Sequence, residues 1–289
     1  MPEPARAVLR VDCPDRPGLV ADVAGLLFRL GVNILHADEH IDREVNTFFQ
    51  RLDFEVSAAA AGSESRARLR AAVGEACEGW GMRWSLRFCD ELRRMAILVS
   101  KRGHCALDLL ARHRAGELSC EVPLVVSNHP DLEEEISRRG YRFVCERIEP
   151  AGKQAQEARL RALLTLERVD FVVLARYMQI LTPKFVDSWR ERIINIHHSF
   201  LPAFAGADPY RQAYRRGVKL VGATSHYVTA DLDEGPIIAQ AVERVGHRDA
   251  VEDLERKGRD LERVVLAHAV RCHLEDRVIA YGNKTVVFD

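Results

Sequence analysis

The 289 residues, 47% hydrophobic and 29% charged, suffice for one large or two modest domains and are too apolar for a disordered chain. Lys and Arg (42) nearly balance Asp and Glu (43), so no basic surplus points to nucleic acid or an anionic membrane, and a small-molecule partner is expected. No stretch reaches the roughly 18 to 20 apolar residues of a membrane span, and the start lacks the apolar core of a signal peptide, which sets a cytoplasmic expectation.

The first 88 residues read as strand (7–13), helix (19–31), strand (32–42), strand (46–57), helix (63–81) and strand (82–88). The helices show apolar residues at helical spacing, and the first ends in a Gly stop. Strand 46–57 alternates only imperfectly, at Phe48, Phe49, Leu52, Phe54 and Val56. The order βαββαβ is the ferredoxin-like arrangement. Residues 58–61, all alanine but not periodic, read as a loop.

A charged, unpatterned stretch at 88–95 places the domain boundary, giving blocks 1–88 and 89–289. Strands and helices then alternate: strands at 94–100, 120–128, 141–146, 170–178 and 192–197, with helices at 104–116, 131–140 and 157–169 between them. Such alternation predicts a mainly parallel, Rossmann-like sheet covered on both faces, with ligands at the carboxyl ends of its strands. Two consecutive strands follow at 219–228 and 235–245, then a long amphipathic helix at 251–274. Residues 277–288 read as a hairpin turning at Gly282 and Asn283.

Seven scattered cysteines without a CxxC pair argue against a disulfide framework and a thiolate zinc site. Chemistry-bearing residues gather instead at strand ends. Asn195 and His197, two apart, project on one face of the sheet at its carboxyl edge. His198 points the other way or lies beyond the strand, and Pro202 turns the chain out of the sheet. Ser225, His226 and Tyr227 end the next long strand, and the following turn carries Asp231, Asp233 and Glu234. A carboxylate beside a strand-end His and Asn supplies an acid or base, a proton partner and a carbonyl-oxygen donor. Spacing alone does not choose among the three carboxylates. His226 is a candidate to support these groups, whereas His104 and His129 read as local caps or pocket rim.

The strings NIHHSFLP (195–202), GATSHYVTADLDEGPII (222–238) and VVLARYMQIL (172–181) resemble the formyltransferase catalytic domain of enzymes that use 10-formyltetrahydrofolate. The first block resembles an ACT domain, through Asp15, Arg16, Pro17 and Gly18 after strand one and GVNI (31–34) after helix one. The pairing of the two, with ILVSKRGHCALDLL (97–110), VVSNHPDLE (125–133) and FAGADPY (204–210), resembles the formyltetrahydrofolate deformylase family over residues 7 to 288.

That resemblance implies Asn195, His197 and Asp233 as the catalytic set. It implies a folate-binding wall of the loop 174–181, with Leu174, Tyr177, Met178, Ile180 and Leu181, alongside the stretch 228–231, with Val228 and Asp231, and His226. Water would attack the formyl carbon, with Asp233 as base and Asn195 and His197 stabilising the oxyanion. A carboxylate beside an imidazole is expected to have its pKa shifted toward the working pH. Asp208 stands where the family commonly has lysine, so a role resting on a positive charge there is not carried over to this chain.

No cofactor is expected beyond the folate substrate. His197, His198, His226 and Asp233 can compose a zinc site, but no HExxH or Cys pair accompanies them and the resemblance is to metal-free enzymes, so no metal is expected. The turn at Asp15, Arg16, Pro17 and Gly18, with Asn33, leaves backbone N–H groups that can hold an amino-acid effector's carboxylate. A plain dimerisation module is the alternative, and an exposed sheet edge there leads us to expect a homo-oligomer. Two other functions compete with hydrolysis: formyl transfer to an amine acceptor, and a non-catalytic amino-acid sensor.

Overall fold

The computed structural model describes residues 5–56, 62–148, 152–202 and 209–289. The loop expected at 58–61 and the position of Asp208 lie outside them. The chain divides into two compact units, one of residues 1–92, 275–279 and 286–289, the other of 93–274 and 280–285. Relative to the sequence reading, the division falls at 92 rather than 88, and most of the C-terminal segment joins the first unit.

The first unit runs β1 (Ala5–Pro14), α1 (Leu19–Arg29), β2 (Asn33–Asp42), β3 (Thr47–Val56), α2 (Ser63–Gly79) and β4 (Arg83–Phe88). Its sheet has the order β2-β3-β1-β4, every neighbour antiparallel. Period-2 alternation puts Ala7, Leu9 and Val11 of β1 beside Leu52 and Phe54 of β3 in a core with Val23 and Leu27 of α1 and Val73 and Cys77 of α2. The imperfect alternation of β3 has a physical cause: both of its faces are buried. On the second face Arg51 Nε donates to the Asp276 carbonyl at 3.2 Å, and Asp53 pairs with Arg6 at 2.6 Å. Asp276, only 2% exposed, is further held by Arg10 at 3.4 Å and by Arg87. A carboxylate so buried is tolerable only with such partners, and removing them typically costs about 3 to 5 kcal/mol.

The second unit runs β5 (Arg93–Val99), α3 (His104–Arg114), β6 (Cys120–Ser127), α4 (Glu133–Arg138), β7 (Phe143–Cys145), α5 (Lys153–Leu166) and β8 (Phe171–Leu174). It continues through α6 (Pro183–Asp187), β9 (Ile193–His197), α7 (Pro209–Arg216), β10 (Leu220–Tyr227), β11 (Ile237–Arg244) and α8 (Val251–Leu274). The sheet order is β11-β10-β9-β8-β5-β6-β7: β9 to β7 are parallel, and β10 is antiparallel to both neighbours. The class is therefore α/β, an antiparallel ferredoxin-like sheet followed by a mainly parallel Rossmann-like one. Met95 to Val99 and Phe171 to Val173 are fully buried, as strands covered on both faces require.

Three departures from the sequence reading matter for the site. β8 stops at Leu174 instead of running to 178, because the chain turns at Arg176, which takes φ 65. The short helices α6 and α7 carry too few turns for periodicity to register. α6 nevertheless has a signal, since the Thr182 side chain caps it, accepting from Phe185 N, and Pro183 follows at its first turn. The hairpin is as expected: β12 (Val278–Tyr281) and β13 (Lys284–Val287) are joined through Gly282, which takes φ 52.

Candidate active site

Parallel strands β8 and β9 end side by side, and antiparallel β10 ends at the neighbouring position. Asn195 is thus in register with Leu174 on one side and His226 on the other. The cross-strand pair is closed by a 3.2 Å contact between Asn195 Nδ2 and His226 Nε2. His226 Nδ1 lies 2.9 Å from the Tyr227 carbonyl, which can only accept, so Nδ1 carries a proton and the ring is held with Nε2 toward Asn195. Ser225 Oγ donates to the Asn195 carbonyl at 2.9 Å and fixes the strand end further.

The turn between β10 and β11 delivers the carboxylate. Asp233 takes φ 57, a left-handed conformation costly for most residues but more tolerable for Asp and Asn. Gly235 makes this geometry accessible: a Cβ there would stand 1.8 Å from the Tyr227 carbonyl oxygen, so only glycine lets the turn fold back on β10. Asp233 Oδ2 then meets His197 Nδ1 at 3.2 Å, and its Oδ1 lies 3.6 Å from His226 Nε2. His197 is 5% exposed, and its Nε2 is buried without a hydrogen-bond partner among the described residues. Burial alone would raise the Asp233 carboxyl, but the His197 and His226 imidazoles outweigh it and hold the group well below the usual carboxylate range. This reverses the shift expected from the sequence, since both imidazoles favour the ionised form.

A cleft of about 340 Å³ opens over these groups. Its lining includes Asn195, His197 and Asp233 together with Leu174, Tyr177, Met178, Ile180, Leu181, His226, Val228 and Asp231, so all eleven residues singled out by motif border one space. Tyr177 and Leu181 are buried, the Tyr177 hydroxyl pushed up to about 12 by burial, whereas Met178 and Ile180 are 60% and 61% exposed. Exposed apolar side chains on a cleft rim are the kind of surface that a flat aromatic ligand covers.

Arg176, Gln179, Thr229 and Ala230 line the cleft as members of the loops 174–181 and 228–231, whereas the sequence reading missed Ile196 and Leu232 and did not bring His198 to the cleft. His198 follows the last residue of β9, yet it borders the same space with its ring 5.0 Å from that of His197. Burial, reinforced by the Arg176 charge, lowers it to about 4, so it is neutral at physiological pH. His104 is neither cap nor rim: it opens α3 and its Nε2 contacts Glu262 Oε2 at 2.7 Å. Glu262 was detectable, because it falls on the apolar stripe of α8 with Leu254, Gly258, Val265 and Leu266.

Among the described residues, one group has metal-ligand atoms within 4.8 Å of one another, namely His104, Cys105 and Glu262. Its chemistry does not suit a cation. Arg176 Nε lies 3.6 Å from Glu262, and burial drives the Cys105 thiol far above its usual value, against the thiolate a metal needs.

In the first unit, Asp15, Arg16, Pro17 and Gly18 form the turn into α1, with Gly18 at φ 90. Asp15 N donates to the Asn46 carbonyl at 2.9 Å, Arg16 pairs with Asp22 at 2.9 Å, and no side chain caps α1. Asn33 is exposed at the start of β2. A shallow depression of about 400 Å³ beside this turn is lined by Asp12, Cys13, Pro14, Val45, Asn46, Thr47, Gly81 and Arg83 rather than by the turn itself.

Comparison with known proteins agrees with this architecture. Residues 93–270 match the family model described as formyl transferase, and residues 7–67 match that of the ACT domain. A formyltetrahydrofolate deformylase of Synechocystis sp. is 52% identical over 282 residues, 98% of this chain and 98% of its own. The crystal structure of a formyltetrahydrofolate deformylase from Pseudomonas syringae pv. tomato superposes with a TM-score of 0.94 at 41% identity, covering 100% of this chain and 96% of that one. Glycinamide ribonucleotide transformylase 1 from Symbiobacterium toebii superposes with a TM-score of 0.65 at 35% identity, over 71% of this chain and 98% of its own. With half its residues shared along nearly the whole length, the chain belongs to the formyltetrahydrofolate deformylase family of enzymes.

Proposed function

We propose that the cleft hydrolyses 10-formyltetrahydrofolate to formate and tetrahydrofolate through an Asp233–His197 pair acting as one proton-accepting unit, with Asn195 on the oxyanion. The observation that carries this reading is the 3.2 Å His197 Nδ1 to Asp233 Oδ2 contact combined with a His197 Nε2 that has no partner among the described residues. An ionised Asp233 alone is a weak base. Paired with it, a neutral imidazole with its proton on Nδ1 offers a free Nε2 lone pair, and the carboxylate stabilises the imidazolium that forms.

In the reaction, Nε2 takes a proton from water as the water oxygen bonds to the formyl carbon. The carbonyl oxygen becomes anionic and accepts from Asn195 Nδ2–H, a type of donor whose loss costs about 2.7 to 4 kcal/mol. The imidazolium returns its proton to N10 as the C–N10 bond breaks, and formic acid leaves, losing its proton to solvent as formate. The exposed Met178 and Ile180 would lie under the pteridine, with Val228 and Asp231 opposite the wall 174–181.

The competing reading, transfer to an amine, uses the same three side chains; full-length relatives named as deformylases favour water. Incubation with 10-formyltetrahydrofolate and no acceptor tests the choice. Stoichiometric formate and tetrahydrofolate are expected, and an absolute requirement for an amine would overturn hydrolysis.

A further inference from the structure

In sheets wound in this way a ligand crevice opens where the strand order reverses, because the flanking crossovers leave toward opposite faces. Here the reversal falls between β5 and β8. Side chains close it. His104 follows β5, Arg176 follows β8, Tyr210 comes from α7 and Glu262 from the middle of α8. Glu262 Oε2 is 2.7 Å from His104 Nε2 and 3.6 Å from Arg176 Nε, and Oε1 accepts from the Tyr210 hydroxyl at 2.8 Å. Glu262, Tyr210 and Arg176 are 1%, 5% and 7% exposed.

Two backbone features serve this arrangement. Arg176 sits at φ 65, a strained conformation for a residue with a side chain, at the point where it must turn inward. Gly258, one turn before Glu262, makes room for the tyrosine: a Cβ there would stand 2.0 Å from the Tyr210 hydroxyl oxygen. The network borders the cleft through Arg176 and His198, whose ring lies 6.2 Å from that of Tyr210.

The apolar part of the cleft, with Met178, Ile180 and Val228, suits the folate, so a second substrate would have to approach from the polar border at Arg176 and His198. We infer that His104, Arg176, Tyr210 and Glu262 form an acceptor-excluding plug that fills the crevice an amine-bearing co-substrate would need, leaving water as the nucleophile. The inference rests on the hydrolytic reading above and adds which residues enforce it.

The test measures formate and N-formylglycinamide together when the full-length protein turns over 10-formyltetrahydrofolate in a large excess of glycinamide. The wild type should release all formyl groups as formate. The double variant His104→Ala/Tyr210→Ala should raise the formylated amine roughly ten-fold or more over the wild-type background, with the KM for folate little changed. Gly258→Ala is the second variant: alanine is favoured within a helix, and its methyl displaces the Tyr210 hydroxyl from Glu262, so it should move the partition the same way. Variants that release formate at an unchanged folate KM and give only background formylated amine would overturn the plug. If the double variant does not fold, Gly258→Ala decides alone. Failure of the wild type to make formate without glycinamide would instead overturn the hydrolytic reading, which separates the two claims.

Discussion

Replacing Asp233 by Asn removes one charge with little change of shape. Asn tolerates the left-handed φ of 57 as well as Asp does, so the turn should keep its conformation and the protein should fold. In the proposed mechanism the charge supports the step in which His197 becomes an imidazolium. At the 3.2 Å separation, and with an effective dielectric of about 20, opposite unit charges attract by about 5 kcal/mol. The Asn side-chain oxygen recovers a hydrogen bond but not this attraction, leaving a net loss of about 4 kcal/mol in the transition state, or roughly a thousand-fold in kcat. With the folate seated on the wall 174–181 as proposed, its binding should change little, so KM should stay within about three-fold of the wild type. Steady-state and single-turnover formate release, with folate affinity from equilibrium titration, separate the two effects. A kcat within ten-fold of the wild type would show that the Asp233 charge does not support proton transfer.

Gly235→Ala should lower kcat roughly a hundred-fold with a smaller change in KM, because the new methyl must clear the Tyr227 carbonyl and carries Asp233 out of line; an unchanged kcat would contradict the close approach. His198 predicts an acid-labile fold. Its folded pKa of about 4 lies below the ordinary value of about 6.5, so the unfolded chain binds the proton more readily and acidification favours unfolding. The stabilisation is intact above about pH 6.5 and falls by about 3 kcal/mol as pH drops to about 4. Urea midpoints measured across that window should fall for the wild type and flatten for His198→Gln, and equal slopes in the two proteins would refute the assignment.

Much of the fold follows from local pattern. The continuous apolar runs of β5 and β8, the alternation of β1 and the heptad-like stripe of α8 each specify an element, because burial on one or both faces imposes its own period. Strand-end Asn195 and His197 were legible for the same reason, as was the turn carrying Asp233. Legibility fails where one residue's conformation depends on distant chain. Arg176 sits inside an apolar stretch that reads as continuous strand, and its left-handed turn toward Glu262 on distant α8 is not legible from that stretch. The direction of the Asp233 shift was likewise hidden, since it depends on how closely two imidazoles from β9 and β10 approach one carboxylate.

By itself, then, the amino-acid order determined most strands and the longer helices, that a ferredoxin-like block precedes a parallel α/β block, and which polar side chains reach the sheet's carboxyl edge. Those outcomes depend on periodicity and turn chemistry, which act over a few residues. The tertiary structure decided the rest: the 3.2 Å pairing of His197 with Asp233, the neutrality of His198, and the filling of the crevice by His104, Arg176, Tyr210 and Glu262. Each of these is set by distance and burial between residues far apart in the chain, and electrostatic interaction changes steeply with both.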